Sequence, residues 1–116
     1  MTFRDDLEAL SLQFVTDYQR SDARACASAY TNDAVIYLNG ETSVRGGAAI
    51  VAHFDQAMKD SFKVGRLTTV NAESNQDFGY AIQTFQSNAG METVMLALRR
   101  SPKDGWKVCA EVIVAK

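Results

Sequence analysis

Residues 31–58 read TNDAVIYLNGETSVRGGAAIVAHFDQAM, and this stretch decides the predicted fold. Residues 34–38 are almost wholly apolar, which predicts a strand covered on both faces. Asn39-Gly40 supplies the positive φ angles of a hairpin turn, and residues 42–45 form the returning strand. Gly46-Gly47 then breaks the chain before an amphipathic helix that ends near residue 60. The apolar stripe of this helix consists of Ile50, Phe54, Ala57 and Met58.

The residues before this stretch predict two helices. An N-cap at Thr2 opens one long amphipathic helix that ends near Arg20. Its apolar residues recur at helical spacing and are Phe3, Leu7, Leu10, Phe14 and Tyr18. Ser21-Asp22 caps a second, short helix over residues 23–30.

The residues after the stretch predict a sheet. Beyond Ser61, β-branched and aromatic residues are frequent, and turn signals recur about every 10–14 residues, as in hairpins. The predicted strands cover residues 63–74, 80–88, 92–100 and 106–115. Helices followed by antiparallel strands indicate a single α+β domain, with the helices packed on one face of a curved sheet.

Composition narrows the classes of function. The chain has 116 residues, a formal net charge of -2 and only scattered Lys and Arg, so a nucleic-acid partner is not expected. No apolar run approaches the roughly 20 residues of a membrane span, so no membrane partner is expected. The N-terminal residues lack the apolar core of a signal peptide, which favours a cytoplasmic location.

The cysteine and histidine content predicts neither a metal site nor a cofactor. Cys26 and Cys109 belong to no paired spacing, and we interpret them as two buried thiols. One His and no Cys-x-x-Cys motif leave no zinc site. The Gly46-Gly47 pair lacks the Lys-Ser/Thr sequence that a phosphate-binding loop needs.

The order of these elements resembles the NTF2-like superfamily, which includes the SnoaL-like cyclases, the ketosteroid isomerases and the DUF4440 group. The resemblance covers essentially the whole chain. It is carried by Ser21-Asp22, YTNDA at 30–34, VRGGAAI at 44–50, ALRR at 97–100 and DGWKV at 104–108. It implies a cone-shaped fold, in which a curved antiparallel sheet wraps on the three N-terminal helices, with an apolar pocket at the open end.

The resemblance also allows the isomerase machinery to be checked position by position. Phe14 stands where the isomerases have a Tyr on the first helix. Leu38, or Asn39 if the alignment shifts by one, stands where they have the Asp base, and Leu96 where they have the second acid. None of these side chains exchanges a proton at neutral pH, so ketosteroid isomerisation by that mechanism is not expected.

Two other side chains are candidates for proton transfer. Glu111 stands in the most apolar predicted strand, where desolvation would raise its pKa. The alternative is that Glu111 lies at a sheet edge or pairs with Arg99 or Arg100. His53, the only His, lies at the border of the third helix's apolar stripe, where a partly buried structural role is the alternative.

The expected pocket would take a small apolar or aromatic molecule. Tyr18 and Tyr37 can each present a hydroxyl at its rim, and core packing is the alternative for both. The full set of predicted ligand-binding residues is Phe14, Tyr18, Tyr37, Leu38, Phe54, Met58 and Leu96.

Both faces of the last two strands are apolar, which predicts a homodimer through the sheet. One face of the fifth strand carries Met91, Thr93, Met95 and Ala97, and the other Val94, Leu96 and Leu98. In the sixth strand Val108, Ala110, Val112 and Val114 are expected to oppose Cys109, Glu111 and Ile113. A monomer with helices on one side only would have polar residues on its outer face.

Three functions stay open at this stage. The first is an enzyme with Glu111 or His53 as the proton-transfer group and Tyr18 or Tyr37 as the orienting group. The second is a non-catalytic ligand-binding or dimeric association module. The third, a hydratase or epoxide-opening enzyme, needs a convergent Asp-Arg-Asp cluster that the sequence does not supply.

Overall fold

The computed structural model of the protein describes residues 2–38 and 42–115, within which three helices and six strands form. The helices are α1 Phe3–Gln19, α2 Ala23–Ala27 and α3 Gly47–Lys59. The strands are β1 Tyr30–Leu38, β2 Thr42–Arg45, β3 Val64–Asn75, β4 Phe78–Ser87, β5 Gly90–Ser101 and β6 Gly105–Ala115. The predicted α+β class is confirmed. The turn predicted at Asn39-Gly40 lies outside the described residues.

Helix α1 begins where its sequence predicts. The Thr2 hydroxyl accepts a hydrogen bond from the Asp5 backbone N–H at 3.1 Å, and the Asp5 carboxylate accepts one from the Thr2 N–H at 3.2 Å. This reciprocal capping box satisfies two backbone donors that the first turn leaves free. The inward face of the helix buries Leu7 and Tyr18.

The six strands form one curved sheet in the order β2-β1-β6-β5-β4-β3. All neighbouring pairs are antiparallel except β1 and β6, which are parallel. This pairing explains why α2 ends at Ala27, short of the predicted residue 30. The Ala29 carbonyl accepts a hydrogen bond from the Val108 N–H at 2.9 Å, so Tyr30 already lies in the ladder with β6.

A β-bulge in β6 sets which side chains face the helices. Ala97 pairs with Ala110, whereas Leu98 pairs with Val108, so Cys109 is an extra residue without a partner. Val108 and Glu111 therefore both point to the concave face. The prediction that Val108 shares the outer face with Ala110 is wrong, because strict alternation cannot be carried across a bulge.

The core lies between the concave face of the sheet and the helices. Leu7, Ile36, Ile50 and Leu98 have no exposed surface, and each contributes about 1.5–3 kcal/mol by burial. The outer face of β1 is not covered within the chain, since Tyr37 is exposed there. The expectation that β1 is covered on both faces is therefore wrong for the single chain.

Candidate functional site

A cavity of about 650 Å³ lies between α1, α3 and the concave face of the sheet. Its walls are mostly apolar and include Leu7, Leu10, Phe14, Leu38, Leu67, Val94, Leu96, Val108 and Ile113. Cavities of this size and character are typical of small-molecule sites.

One wall of the cavity is an aromatic cluster centred on Phe54. The ring centroid of Phe54 lies 5.4 Å from that of Phe14, 5.7 Å from that of Tyr30 and 6.5 Å from that of Tyr18. These separations and the interplanar angles of 46–88° among them are those of favourable edge and tilted aromatic pairs. The cluster joins α1 and α3 to β1 beside the cavity.

Glu111 is a buried carboxyl group in this apolar wall. Glu111 faces inward together with Ile113, two residues further along β6, and its cross-strand neighbours Ile36 and Leu96 are both buried and apolar. The Tyr30 hydroxyl donates a hydrogen bond to Glu111 Oε1 at 2.6 Å. Oε2 accepts no hydrogen bond from the residues that the structure describes, so it is the oxygen left for a ligand.

The environment of Glu111 places its titration near neutral pH. Burial raises the pKa of this carboxyl from 4.5 to about 7, and the hydrogen bond from Tyr30 partly opposes the rise. The pKa of Tyr30 lies well above its usual value, because the ring is buried and the Glu111 charge is adjacent. Glu111 can therefore accept or donate a proton at pH 7, whereas Tyr30 remains a hydrogen-bond donor.

A second polar group of the cavity wall lies on β4, two strands away from β6. Gln83, which is fully buried, donates through Nε2 to the hydroxyl of Ser11 at 2.8 Å and to that of Thr69 at 3.2 Å. Its carbonyl oxygen Oε1 has no hydrogen-bond partner among the described residues. A buried acceptor without a partner costs about 1–3 kcal/mol unless something donates to it.

The charged side chains around the cavity are all acidic. Asp60, Glu92 and Glu111 line it, and no Lys or Arg is among the described lining residues. Glu92 is buried and accepts a hydrogen bond from the Ser87 hydroxyl at 2.8 Å. His53 also lines the cavity, and burial lowers its pKa, which favours the neutral ring at pH 7.

The cavity brings together seven of the nine residues predicted for the site. These seven are Phe14, Tyr18, Leu38, His53, Phe54, Leu96 and Glu111. The three positions that correspond to isomerase groups, Phe14, Leu38 and Leu96, are among them. Their roles in binding or catalysis stay predictions.

Tyr37 and Met58 do not line this cavity. Tyr37 follows the inward-facing Ile36, and because strand side chains alternate, its ring is exposed on the outer face. Met58 lies about 40° beyond Phe54 around α3, which takes it past the edge of the cavity-facing arc. It borders a smaller depression with Tyr18 and Phe62 instead.

The two arginines that could have paired with Glu111 each pair with a different carboxylate. Arg99 pairs with Asp33 at 4.0 Å, and Arg100 pairs with Asp77 at 3.3 Å, so neither neutralises Glu111. The Tyr18 hydroxyl donates to the Phe62 carbonyl at 2.8 Å, which holds it at the cavity edge.

Sequence reasoning missed Tyr30 and Glu92 as lining residues. Tyr30 falls within the predicted second helix. The exposed Asn32 interrupts the alternation of inward-facing residues that would otherwise mark Tyr30 as part of β1. Glu92 could have been predicted from the sequence, because it lies two residues before Val94 and four before Leu96, on the same inward face of β5. The described residues contain no group of three or more His, Cys, Asp or Glu arranged for a metal, and no helix among them could span a membrane.

No family model and no curated protein matches the chain by sequence. Solved structures do resemble it. A domain of unknown function with a cystatin-like fold from Nostoc punctiforme has 13% identity and a TM-score of 0.85, over 100% of this chain and 80% of that one. An NTF2-like protein of unknown function from Pseudomonas putida has 16% identity and a TM-score of 0.78, over 97% and 85%.

A ketosteroid isomerase-like protein from Erwinia carotovora atroseptica has 17% identity and a TM-score of 0.71, over 91% of this chain and 90% of that one. Identities this low establish the fold and leave the function open.

Proposed function

We propose that this chain, which has the NTF2-like fold predicted from its sequence, binds a small apolar molecule in its cavity and exchanges a proton with it through Glu111. One observation supports this proposal. A carboxyl group whose pKa lies at about 7 stands in the wall of an apolar cavity of about 650 Å³, with one oxygen free.

The chemistry follows from the two oxygens of Glu111. Tyr30 fixes Oε1, so Oε2 can take a proton from a C–H, N–H or O–H bond of the ligand, whose electron pair stays on the ligand. Return of that proton to another atom of the same ligand completes an isomerisation with no other reactant. A base whose pKa lies near the working pH contributes about 10²–10⁴-fold to such a step.

A steroid ketone is not the proposed substrate. Phe14, Leu38 and Leu96 line the cavity at the positions of the isomerase groups, and none carries an exchangeable proton. Glu111 is paired across the ladder with Leu96, so the proposed acid-base group lies one strand away from the corresponding isomerase position.

Binding is tested with a pair of variants on one helix. The neutral dye Nile red is titrated against wild type, Ala57→Trp and Ala52→Trp, with fluorescence as the readout. Ala57 lines the cavity and Ala52 is exposed on the same helix. We expect Ala57→Trp to weaken binding about tenfold or more, because the indole fills the cavity, and Ala52→Trp to leave it unchanged. Equal effects of the two variants would refute a cavity site.

A second candidate function, association with a second copy, is favoured by the outer face of the sheet. Val112 pairs with Tyr37 and Met95, so these three exposed side chains form one row across β1, β6 and β5. Arg99 and Asp33, of opposite charge, lie four residues along β5 and β1 from this row and are both exposed. A two-fold axis would set each charge against its opposite on the other copy, so the face is self-complementary. A homodimer through this face is the proposed assembly.

A further inference from the structure

The charges around the cavity differ from those of a site for an anion. Asp60, Glu92 and Glu111 line it, the described lining residues include no Lys or Arg, and burial favours the neutral form of His53. A carboxylate or phosphate ligand would have to leave water without a counter-charge, which is costly in an apolar cavity. The cavity therefore disfavours anionic molecules.

Three polar side chains of the cavity wall already donate to acceptors within the protein. The Tyr18 hydroxyl donates to the Phe62 carbonyl, that of Tyr30 to Glu111, and the Gln83 amide to Ser11 and Thr69. Among the described contacts, Glu111 Oε2 accepts nothing. Gln83 Oε1 also accepts nothing, but it has almost no accessible surface that a ligand could reach. When Glu111 is ionised, Oε2 therefore favours a ligand that brings a hydrogen-bond donor.

The carboxyl group of Glu111 is bound to an aromatic residue of the cavity wall. The Tyr30 hydroxyl is bound to Oε1, and the Tyr30 ring belongs to the cluster with Phe54, at 5.7 Å between centroids. An ammonium ion gains a charge-assisted hydrogen bond from such a carboxylate. Phe54, the aromatic neighbour of Tyr30, can add cation–π attraction to a cation that lies over the face of its ring.

We propose that the molecule bound in this cavity carries a protonated amine, whose ammonium group faces Glu111 Oε2 beside the rings of Tyr30 and Phe54, while its apolar part fills the remaining space. This inference rests on the proposed function, because it names the ligand class for the same cavity. A neutral donor such as an alcohol would satisfy the acceptors but not the charge, so charge is the property to test.

Three probes of one shape separate the two proposals. 4-Phenylbutylamine, 4-phenylbutanol and 4-phenylbutanoate are titrated by calorimetry at pH 8, where the amine is protonated and Glu111 is ionised. We expect the amine to bind about tenfold or more tightly than the alcohol, and the carboxylate not to bind measurably. An alcohol as tight as the amine would overturn the amine class and leave the proposed cavity site intact. No binding of any probe would overturn both.

Two matched variants test whether Glu111 is the carboxylate that binds the ammonium group. Glu111→Gln keeps the shape of the side chain, and it should reduce the preference for amine over alcohol to about onefold. Glu92→Gln removes the other buried carboxylate of the cavity wall. Glu92 lies four residues along β5 from Leu96, the cross-strand neighbour of Glu111, which is a distance of about 13 Å. It should keep the preference, and loss of the preference in this variant alone would overturn the assignment to Glu111.

The wild-type protein provides a test that needs no Glu111 variant. The titratable groups that line the cavity with Glu111 are Tyr30 on β1, Tyr18 on α1, His53 on α3, Asp60 at the end of α3 and Glu92 on β5. Amine affinity should rise about tenfold between pH 6 and pH 8 as Glu111 ionises, and alcohol affinity should not. His53→Gln should keep this rise. A rise that disappears in His53→Gln, or an amine affinity that is flat with pH, would overturn the proposal.

Discussion

The buried carboxyl group of Glu111 makes the free energy of unfolding depend on pH. Its pKa in the folded chain, about 7, lies above the ordinary value of 4.5, so folding favours the protonated form. This contribution to stability is complete below about pH 4.5 and is lost as pH rises through 7. At about 1.4 kcal/mol for each pH unit between the two values, the loss is on the order of 3 kcal/mol.

We therefore predict that Glu111→Gln is more stable than wild type at pH 8 by up to about 3 kcal/mol, because it removes a desolvated charge. The difference should vanish near pH 4, where wild-type Glu111 is protonated. Urea unfolding across this pH range measures it, with the exposed Glu8→Gln on α1 as the control. A difference between Glu111→Gln and wild type that does not change with pH would contradict the buried carboxyl described here.

The hydroxyl of Tyr30 tunes this titration. Its hydrogen bond stabilises the ionised carboxylate and so lowers the pKa of Glu111. Tyr30→Phe should raise the pKa of Glu111 above 7, measured from the ¹³C shift of its carboxyl carbon. Tyr37→Phe, which removes an exposed hydroxyl on the outer face, should leave that pKa unchanged. An unchanged or lower pKa in Tyr30→Phe would show that the hydrogen bond does not favour the charged form.

At the scale of single elements, the two glycines at the start of α3 differ in whether the backbone conformation requires glycine. Gly46 has φ 89° and ψ 160°, a region that is essentially restricted to glycine. Gly47 begins the helix with ordinary φ, and a Cβ at this position would meet nothing within 4 Å. The first position therefore needs a glycine and the second does not.

Alanine substitutions at the pair should change stability in opposite directions. Gly46→Ala should lower the free energy of unfolding by about 1–3 kcal/mol through backbone strain. Gly47→Ala should raise it by about 0.4–1 kcal/mol, because alanine loses less conformational entropy on folding. Thermal or urea unfolding of the two variants measures both changes. A stabilising Gly46→Ala would contradict the backbone conformation described here.

Element bounds could be predicted from the sequence because their signals are local. The Thr2 cap, the glycine pair and the turn residues fixed the ends of α1, α3 and the four long strands to within two residues. The bulge at Cys109 and the parallel pairing of Tyr30 could not be predicted, since both depend on a strand distant in the chain. Alternation placed Glu111 on one face with Ile113, and both line the cavity because the bulge lies before them in β6. The expectation that this face turns toward the pocket came from the family resemblance.

For the whole molecule, the outer face of the sheet is the main surface without a partner inside the chain. Met95 and Val114 are 53% and 55% exposed on it, although β5 and β6 are central strands. Sedimentation should show a dimer at micromolar concentration. Met95→Lys should weaken the dimer about a hundredfold or more, because it buries an unpaired charge in each copy.

Leu12→Lys is the matched control for the dimer. Leu12 is 70% exposed on α1, on the other side of the molecule from the outer face of the sheet. This variant should sediment as wild type does. A monomeric wild type at micromolar concentration, or a Met95→Lys variant that stays dimeric, would contradict the proposed assembly.

β1 and β6 are neighbours in the sheet although Tyr30 and Glu111 are 81 residues apart in the chain. During translation β1 therefore leaves the ribosome long before β6, the strand with which it pairs. The β3–β4 and β4–β5 hairpins can form as they emerge, whereas the β1–β6 pairing depends on a high-contact-order step that is slow. That same step closes the cavity wall and brings Glu111 to Tyr30, so a nascent chain that stalls before β6 would lack Glu111 and the part of the cavity wall that β6 supplies.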